Sequence, residues 1–244
     1  MKQPKMIIFD YGQTLVDEEI FDGVKGTEAV LEHAITNKYN LSAEQVQEEA
    51  QKINTEIGRF NPNIHPKDAD IEVHNRVFSK YLYESLGIKL DIDFDMIDRL
   101  FWDNASPGKS TDGIEEFLDY LNDEGIRTGV LSNISYSGKV VEERICNLIP
   151  GNHFEFIIST SEYLFRKPNK RIFNLVMEKA DLDANDIWFV GDNFECDIEG
   201  AKEAGMTPIW YRGASANSKD HGDVLKINSW TDLKNIIEEA KNNG

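Results

Sequence analysis

Met6-Ile7-Ile8-Phe9-Asp10-Tyr11-Gly12-Gln13-Thr14-Leu15 is the stretch on which the reading of the whole chain turns. The unbroken apolar run ahead of Asp10 predicts a short strand over residues 5–9, buried on both faces; a half-exposed strand would alternate polar and apolar side chains. The run is too short for the core of a secretory leader, and no small-residue cleavage site follows it. A strand buried on both faces belongs to a parallel sheet with helices above and below. In such sheets ligands bind at the carboxyl ends of the strands, which is where Asp10 falls.

Outward from this strand the pattern changes twice. Residues 22–104 read as helices. A first covers 27–39, with Ala29, Val30, Ala34 and Ile35 at helical spacing. Ser42 and Gln45 form a capping box ahead of a second, which carries Val46, Ala50, Ile53 and Ile57 on one stripe. A third covers 71–86 and is closed by Gly87, and a fourth covers 94–102. The connection 59–66 contains Pro62 and Pro66 and so breaks the helical series. From about residue 108 strand and helix alternate: strands over 127–131, 156–159, 187–190, 208–211 and 224–227, and helices over 113–122, 139–148, 170–180, 198–204 and from 231. The expected fold class is therefore α/β: a Rossmann-like, doubly wound parallel sheet formed by 1–17 and 108–244, with an α-helical insertion over 18–107.

Composition narrows the function. A chain of 244 residues, 40% hydrophobic and 29% charged, fits a globular protein, and no apolar run approaches the length of a membrane span. With 26 Lys and Arg against 44 Asp and Glu the net charge is −18, which repels the phosphates of nucleic acid. Any small phosphorylated ligand then needs concentrated local positive charge. Cys146 and Cys196 offer neither a disulfide framework nor metal-ligand spacing and read as reduced thiols, consistent with a cytoplasmic protein. Asp220-His221-Gly222-Asp223 reads as a surface turn.

The strand ends carry the chemistry. Asp10 follows the first strand, Ser132 and Asn133 the second, Arg166-Lys167-Pro168 the third, and Gly191-Asp192-Asn193 with Asp197 the fourth. Taken singly, Asp10 is an ordinary turn former, Ser132 a helix cap, Lys167 a solvated lysine and 191–193 a tight turn. Four strand ends in this order, carrying a carboxylate, a hydroxyl, an ammonium and a carboxylate pair, make a site.

This order resembles the four motifs of the haloacid dehalogenase-like hydrolases: an Asp after the first strand, a Ser or Thr after the second, a Lys usually followed by Pro, and Gly-Asp-x-x-x-x-Asp. Glu199-Gly200-Ala201 and Ala204-Gly205-Met206 resemble the family too, and the insertion resembles its helical cap domain. The resemblance implies a phosphohydrolase in which Asp10 forms an aspartyl-phosphate. Asp10, the backbone carbonyl of Gly12, Asp192 and Asp197 would hold Mg²⁺, with Lys167 neutralising charge between Asp10 and the phosphoryl group. Ser132, Asn133 and Lys167 would bind the phosphoryl oxygens. The partner implied is a small phosphorylated substrate, with no nucleic acid and no membrane, acted on by a monomer or homodimer.

One departure stands out. Phosphatases of this family carry a second Asp two residues after the nucleophile, as general acid and base; here that position is Gly12, followed by Gln13. Such catalysis contributes about 10²–10⁴-fold. Either Gln13 or a cap residue such as His65, His74 or Arg76 replaces it, or the leaving group needs no proton, or the protein binds without turnover. The linker with Arg59, Phe60 and His65 is expected to face the site. Dehalogenase relatives also lack the second Asp but have no need of Asp192 with Asp197. Phosphonate hydrolysis would require a cap lysine, for which Lys25, Lys38, Lys52 and Lys80 are candidates by position.

Overall fold

A computed structural model describes residues 2–59, 71–214 and 222–242. The chain opens with β1 (Met6–Phe9), turns through Asp10 and enters β2 (Val16–Glu18). The insertion follows: α1 (Gly23–Leu31), β3 (Ala34–Asn37), α2 (Ala43–Glu56), α3 (Asn75–Ser85), β4 (Ile88–Leu90) and α4 (Phe94–Ala105). β5 (Gly108–Ser110) brings the chain back, and α5 (Ile114–Asp123), β6 (Arg127–Ser132), α6 (Gly138–Leu148), β7 (Phe154–Ser159), α7 (Lys170–Ala180) and β8 (Ile187–Gly191) alternate after it. The chain ends in α8 (Gly200–Ala204), β9 (Thr207–Tyr211), β10 (Leu225–Ile227) and α9 (Trp230–Asn242).

Among the described residues the main sheet has six strands in the order β10-β9-β8-β1-β6-β7, with every neighbouring pair parallel. β1 alternates between two cores, as the two-residue strand period requires. Ile7 and Phe9 join the cluster under α5, α6 and α9, and Met6 and Ile8 join the cluster under α7 and α8. All four are fully buried, so the continuous apolar run is explained by helices on both faces. The chain steps from β1 out to β6 and β7, then crosses to β8 on the other side of β1. That reversal opens a crevice at the carboxyl ends of β1, β6 and β8.

The insertion packs a third cluster, from Val30 of α1, Val46 and Ala50 of α2, Leu82 and Tyr83 of α3, and Ile97 of α4. It joins the sheet through an antiparallel ribbon, β2 with β5, in which Glu18 faces Gly108. The capping box at Ser42 and Gln45 is formed, with Gln45 Oε1 accepting from Ser42 N at 2.9 Å. Ser42→Ala is expected to cost about 1 kcal/mol, read as a lower urea midpoint at unchanged m-value.

Three expectations over the insertion and the 198–204 helix are corrected. The helix expected over 27–39 begins earlier, capped by Asp22, and ends at Leu31. Residues 34–37 instead form β3, paired antiparallel with β4, which suits the β-branched Ile35 and Thr36. The helix expected from 71 begins at Asn75, because His74 caps it and Ile71 bridges to Phe165. The 198–204 helix is preceded by a π-helical turn over Phe194–Glu199.

Candidate active site

Asp10 stands at the end of β1 with its backbone N–H bonded to Val190 O of β8 at 2.8 Å, so the neighbouring strand fixes where its side chain starts. Ser132, the last residue of β6, donates its hydroxyl to Asp10 Oδ1 at 3.2 Å. Lys167 lies 157 residues away in sequence, yet its ammonium donates to the same Oδ1 at 2.6 Å. The ammonium also lies 2.6 Å from Asp197 Oδ1, an ion pair by distance without hydrogen-bond alignment. Asp10, Ser132, Lys167 and Asp197 are all buried.

Asp197 reaches this point because the π-helical turn carries it back over the end of β8, where Asn193 N donates to its Oδ2 at 3.0 Å. Gly191 is required beneath it: a Cβ there would fall on the Asp197 carboxylate. Asp192 is held through its backbone carbonyl, which accepts from Trp210 Nε1 at 2.8 Å. One carboxylate oxygen from each of Asp10, Asp192 and Asp197 lies within 4.8 Å of the others.

Three carboxylates share this space with one ammonium. Burial, then the charges of Asp10 and Asp197, push the Asp192 carboxyl up to about 8. Burial also raises Asp197, against the pull of Lys167. Burial works against the Lys167 charge, yet Asp10 and Asp197 together hold it above the ordinary lysine range. Oxygen donors alone, crowded and under-neutralised, form the donor set that a hard divalent cation takes. The chain's own residues thus fit such an ion.

The structure brings together Asp10, Ser132, Lys167, Asp192 and Asp197, as the strand ends suggested. Asn133 has a different job for its side chain: its amide clamps the main chain of Lys167, donating to Lys167 O at 2.9 Å and accepting from Lys167 N at 2.8 Å. Gln13 adopts a positive φ of 54° and donates its side-chain N–H to Glu18 O at 2.9 Å. His74 Nδ1 caps α3 while Nε2 lies 3.6 Å from Glu162, and Arg76 stacks over Phe94. Arg59 stacks over Phe78; Phe60 and His65, like Asp220 and His221, lie outside the described residues.

A cleft of ≈ 410 Å³ opens beside the strand ends, between Gln13 and Asn133 of the core and Glu72 and Trp102 of the insertion. Glu18 lines it as well and is the residue that sequence reasoning missed. Its Oε1 accepts from Trp102 Nε1 at 2.7 Å and lies 3.4 Å from Arg144 Nη2. Burial raises the Glu18 carboxyl, and Asp10 adds to this, while Arg144, Trp102 and Tyr11 pull it down. In sequence it sits in Val16-Asp17-Glu18-Glu19, an acidic run that reads as a solvated edge; only the pairing of β2 with β5 turns it inward.

Comparison with known proteins gives the family and the fold. The model of the haloacid dehalogenase-like hydrolase family matches residues 4–205. A glyceraldehyde 3-phosphate phosphatase of Methanothermobacter thermautotrophicus is 26% identical over 242 residues, covering 96% of this chain and 99% of that one. A glyceraldehyde 3-phosphate phosphatase of Pyrococcus abyssi is 30% identical over 102 residues, and there the match spans only 41% of either chain. Among solved structures, a HAD phosphatase from Thermococcus onnurineus superposes with a TM-score of 0.63 at 17% identity, covering 97% of this chain and 98% of that one. A 2-haloacid dehalogenase from Pseudomonas syringae pv. Tomato DC3000 gives the same TM-score at 19% identity, covering 98% and 99%. At these identities the superpositions show a shared fold, and one fold carries both reactions. Among the described residues no helix is long and apolar enough to cross a membrane.

Proposed function

The chain belongs to the haloacid dehalogenase-like hydrolases, and from that premise we propose that it is a Mg²⁺-dependent phosphatase of a small phosphorylated metabolite, with Asp10 as nucleophile. The supporting observation is the Asp10–Lys167–Asp197 contact, two carboxylates at 2.6 Å from one buried ammonium, with Asp192 beside them. An anionic substrate entering this under-neutralised pocket is repelled unless a cation joins it, and a phosphoryl group brings more negative charge than a haloacid. Asp10, Asp192, Asp197 and the Gly12 carbonyl would hold Mg²⁺. Once bound, the ion neutralises phosphoryl charge as a Lewis acid.

The chain's own groups then divide the work. Asp10 attacks phosphorus and carries the phosphoryl group until water removes it. Lys167 orients the Asp10 carboxylate through Oδ1 and offsets charge on the transferring group. Ser132 and the backbone N–H groups after it donate to phosphoryl oxygens, while the Asn133 side chain keeps Lys167 in place. The helical insertion, 18–107, acts as the cap that supplies specificity from the far wall of the cleft.

Phosphonate hydrolysis is not favoured. Lys25 and Lys52 are solvated and paired with Asp22 and Glu49, Lys38 lies over Tyr39 on the surface, and Lys80 is exposed. None of the four lines the cleft.

Metal binding can be tested apart from turnover. Mg²⁺ at about 100 times its dissociation constant stabilises a folded protein by about 2.7 kcal/mol. For a chain of this length that raises the melting temperature by roughly 5–10 °C. The rise is expected in wild type and absent in Asp192→Asn. A wild type whose melting temperature ignores Mg²⁺ would sink the metal assignment.

A further inference from the structure

The geometry points to Glu18 as the acid and base that the Gly12 position lacks, reaching the leaving group from β2 instead of from the nucleophile loop. The inference rests on the phosphatase reading above. A Cβ placed on Gly12 would stand 3.4 Å from Glu18 Oε2, with no other heavy atom of the described residues, its two chain neighbours aside, within 4 Å. The space that a side chain at position 12 would enter therefore already has a carboxylate oxygen at its edge.

That carboxylate is held as a catalytic group needs to be. The Glu18 backbone is fixed by pairing with Gly108 and by the Gln13 amide on its carbonyl. One end of the carboxylate is anchored: Oε1 accepts from Trp102 Nε1 at 2.7 Å and has Arg144 Nη2 at 3.4 Å and Tyr11 Oη at 3.5 Å. Arg144 is itself fixed on Tyr11 Oη at 2.8 Å, on Ser106 O at 2.6 Å and on Asp103, and it stacks over Trp102. The other end is free: among the described residues Oε2 takes part in no hydrogen bond, and Glu18 lines the cleft.

The step balances without a co-reactant. Asp10 attacks phosphorus and the bond to the leaving oxygen breaks while Oε2–H of Glu18 gives its proton to that oxygen, releasing an alcohol. The Glu18 carboxylate then takes a proton from water as the water attacks phosphorus. The bond from phosphorus to Asp10 breaks, inorganic phosphate leaves, and Glu18 is again protonated.

Leaving-group dependence separates this role from a structural one. Glycerol phosphate has an alkoxide leaving group that needs a proton; acetyl phosphate has a carboxylate that does not. With Mg²⁺ present, Glu18→Gln is expected to lower kcat/KM, which reports the step that expels the leaving group, by about 10²–10⁴-fold on glycerol phosphate and by less than about tenfold on acetyl phosphate. Gly12→Asp in the Glu18→Gln background is expected to restore much of the glycerol phosphate kcat/KM, since among the described residues a Cβ added at position 12 meets only the side chain at position 18, at ordinary contact distance. An equal loss of kcat/KM on both substrates, or no loss on either, overturns the role of Glu18 and leaves the phosphatase reading standing. So does a wild type that hydrolyses acetyl phosphate alone. Absence of Asp10-dependent release from both substrates overturns the two readings together.

Discussion

Asp10→Asn is expected to lower Mg²⁺-dependent phosphate release from acetyl phosphate by at least about 10⁴-fold, since loss of a hydrolase nucleophile typically costs several orders of magnitude. The substitution is nearly isosteric. Its Oδ1 can still accept from Lys167 and from Ser132, the two contacts that orient the native carboxylate at 2.6 and 3.2 Å. It also removes one of three crowded carboxylates, so folding does not suffer. What is lost is a charged oxygen able to bond to phosphorus. Initial rates by phosphate detection, with circular dichroism as the control for folding, make the comparison. Residual turnover within about tenfold of wild type would remove Asp10 from the chemistry.

Lys167→Met is expected to be damaging twice over. Its ammonium is the one cation within ion-pair distance of Asp10 and Asp197 among the described residues. Breaking a buried pair by deleting one partner costs about 3–5 kcal/mol, because the remaining charges are left uncompensated. In chelator at neutral pH, urea unfolding is expected to show a loss of that order. Adding Mg²⁺ should recover part of it, since the ion then neutralises the same carboxylates. Turnover should not recover, because nothing replaces the ammonium that orients Asp10. Unchanged stability in chelator would mean that Asp10 and Asp197 are not charged together in the absence of the Lys167 ammonium.

Asp10 was legible in the sequence for a physical reason. A strand buried on both faces must be continuously apolar, so the first polar residue after it marks the strand end, and Asp10, Ser132 and Asp192 all fall there. Lys167 was legible only through its order among the motifs, since an isolated lysine carries no sign of burial. The helices of the core were visible because their apolar spacing is periodic, and α7 appears as expected at both ends.

The short antiparallel pairings were not visible. β2 and β5 have three residues each and lie about 90 residues apart in the chain, and β3 and β4 have only four and three. No local periodicity develops over three residues, and the partner is what makes each a strand. Glu18 was missed for that reason: its inward position is a property of its pairing with Gly108. Asn133 shows the complementary limit. Its place after β6 was read correctly, but the clamp on Lys167 depends on two loops meeting across 34 residues.

As the proposed nucleophile, Asp10 must carry the phosphoryl group during turnover. Wild-type protein mixed with acetyl phosphate and Mg²⁺, quenched in acid within the first turnover and digested, can be examined by mass spectrometry at the Asp10 peptide. A phosphoryl adduct on Asp10, absent when chelator replaces Mg²⁺, is the predicted result. Phosphate release during that turnover with Asp10 unmodified, or an adduct on another residue, would contradict the account.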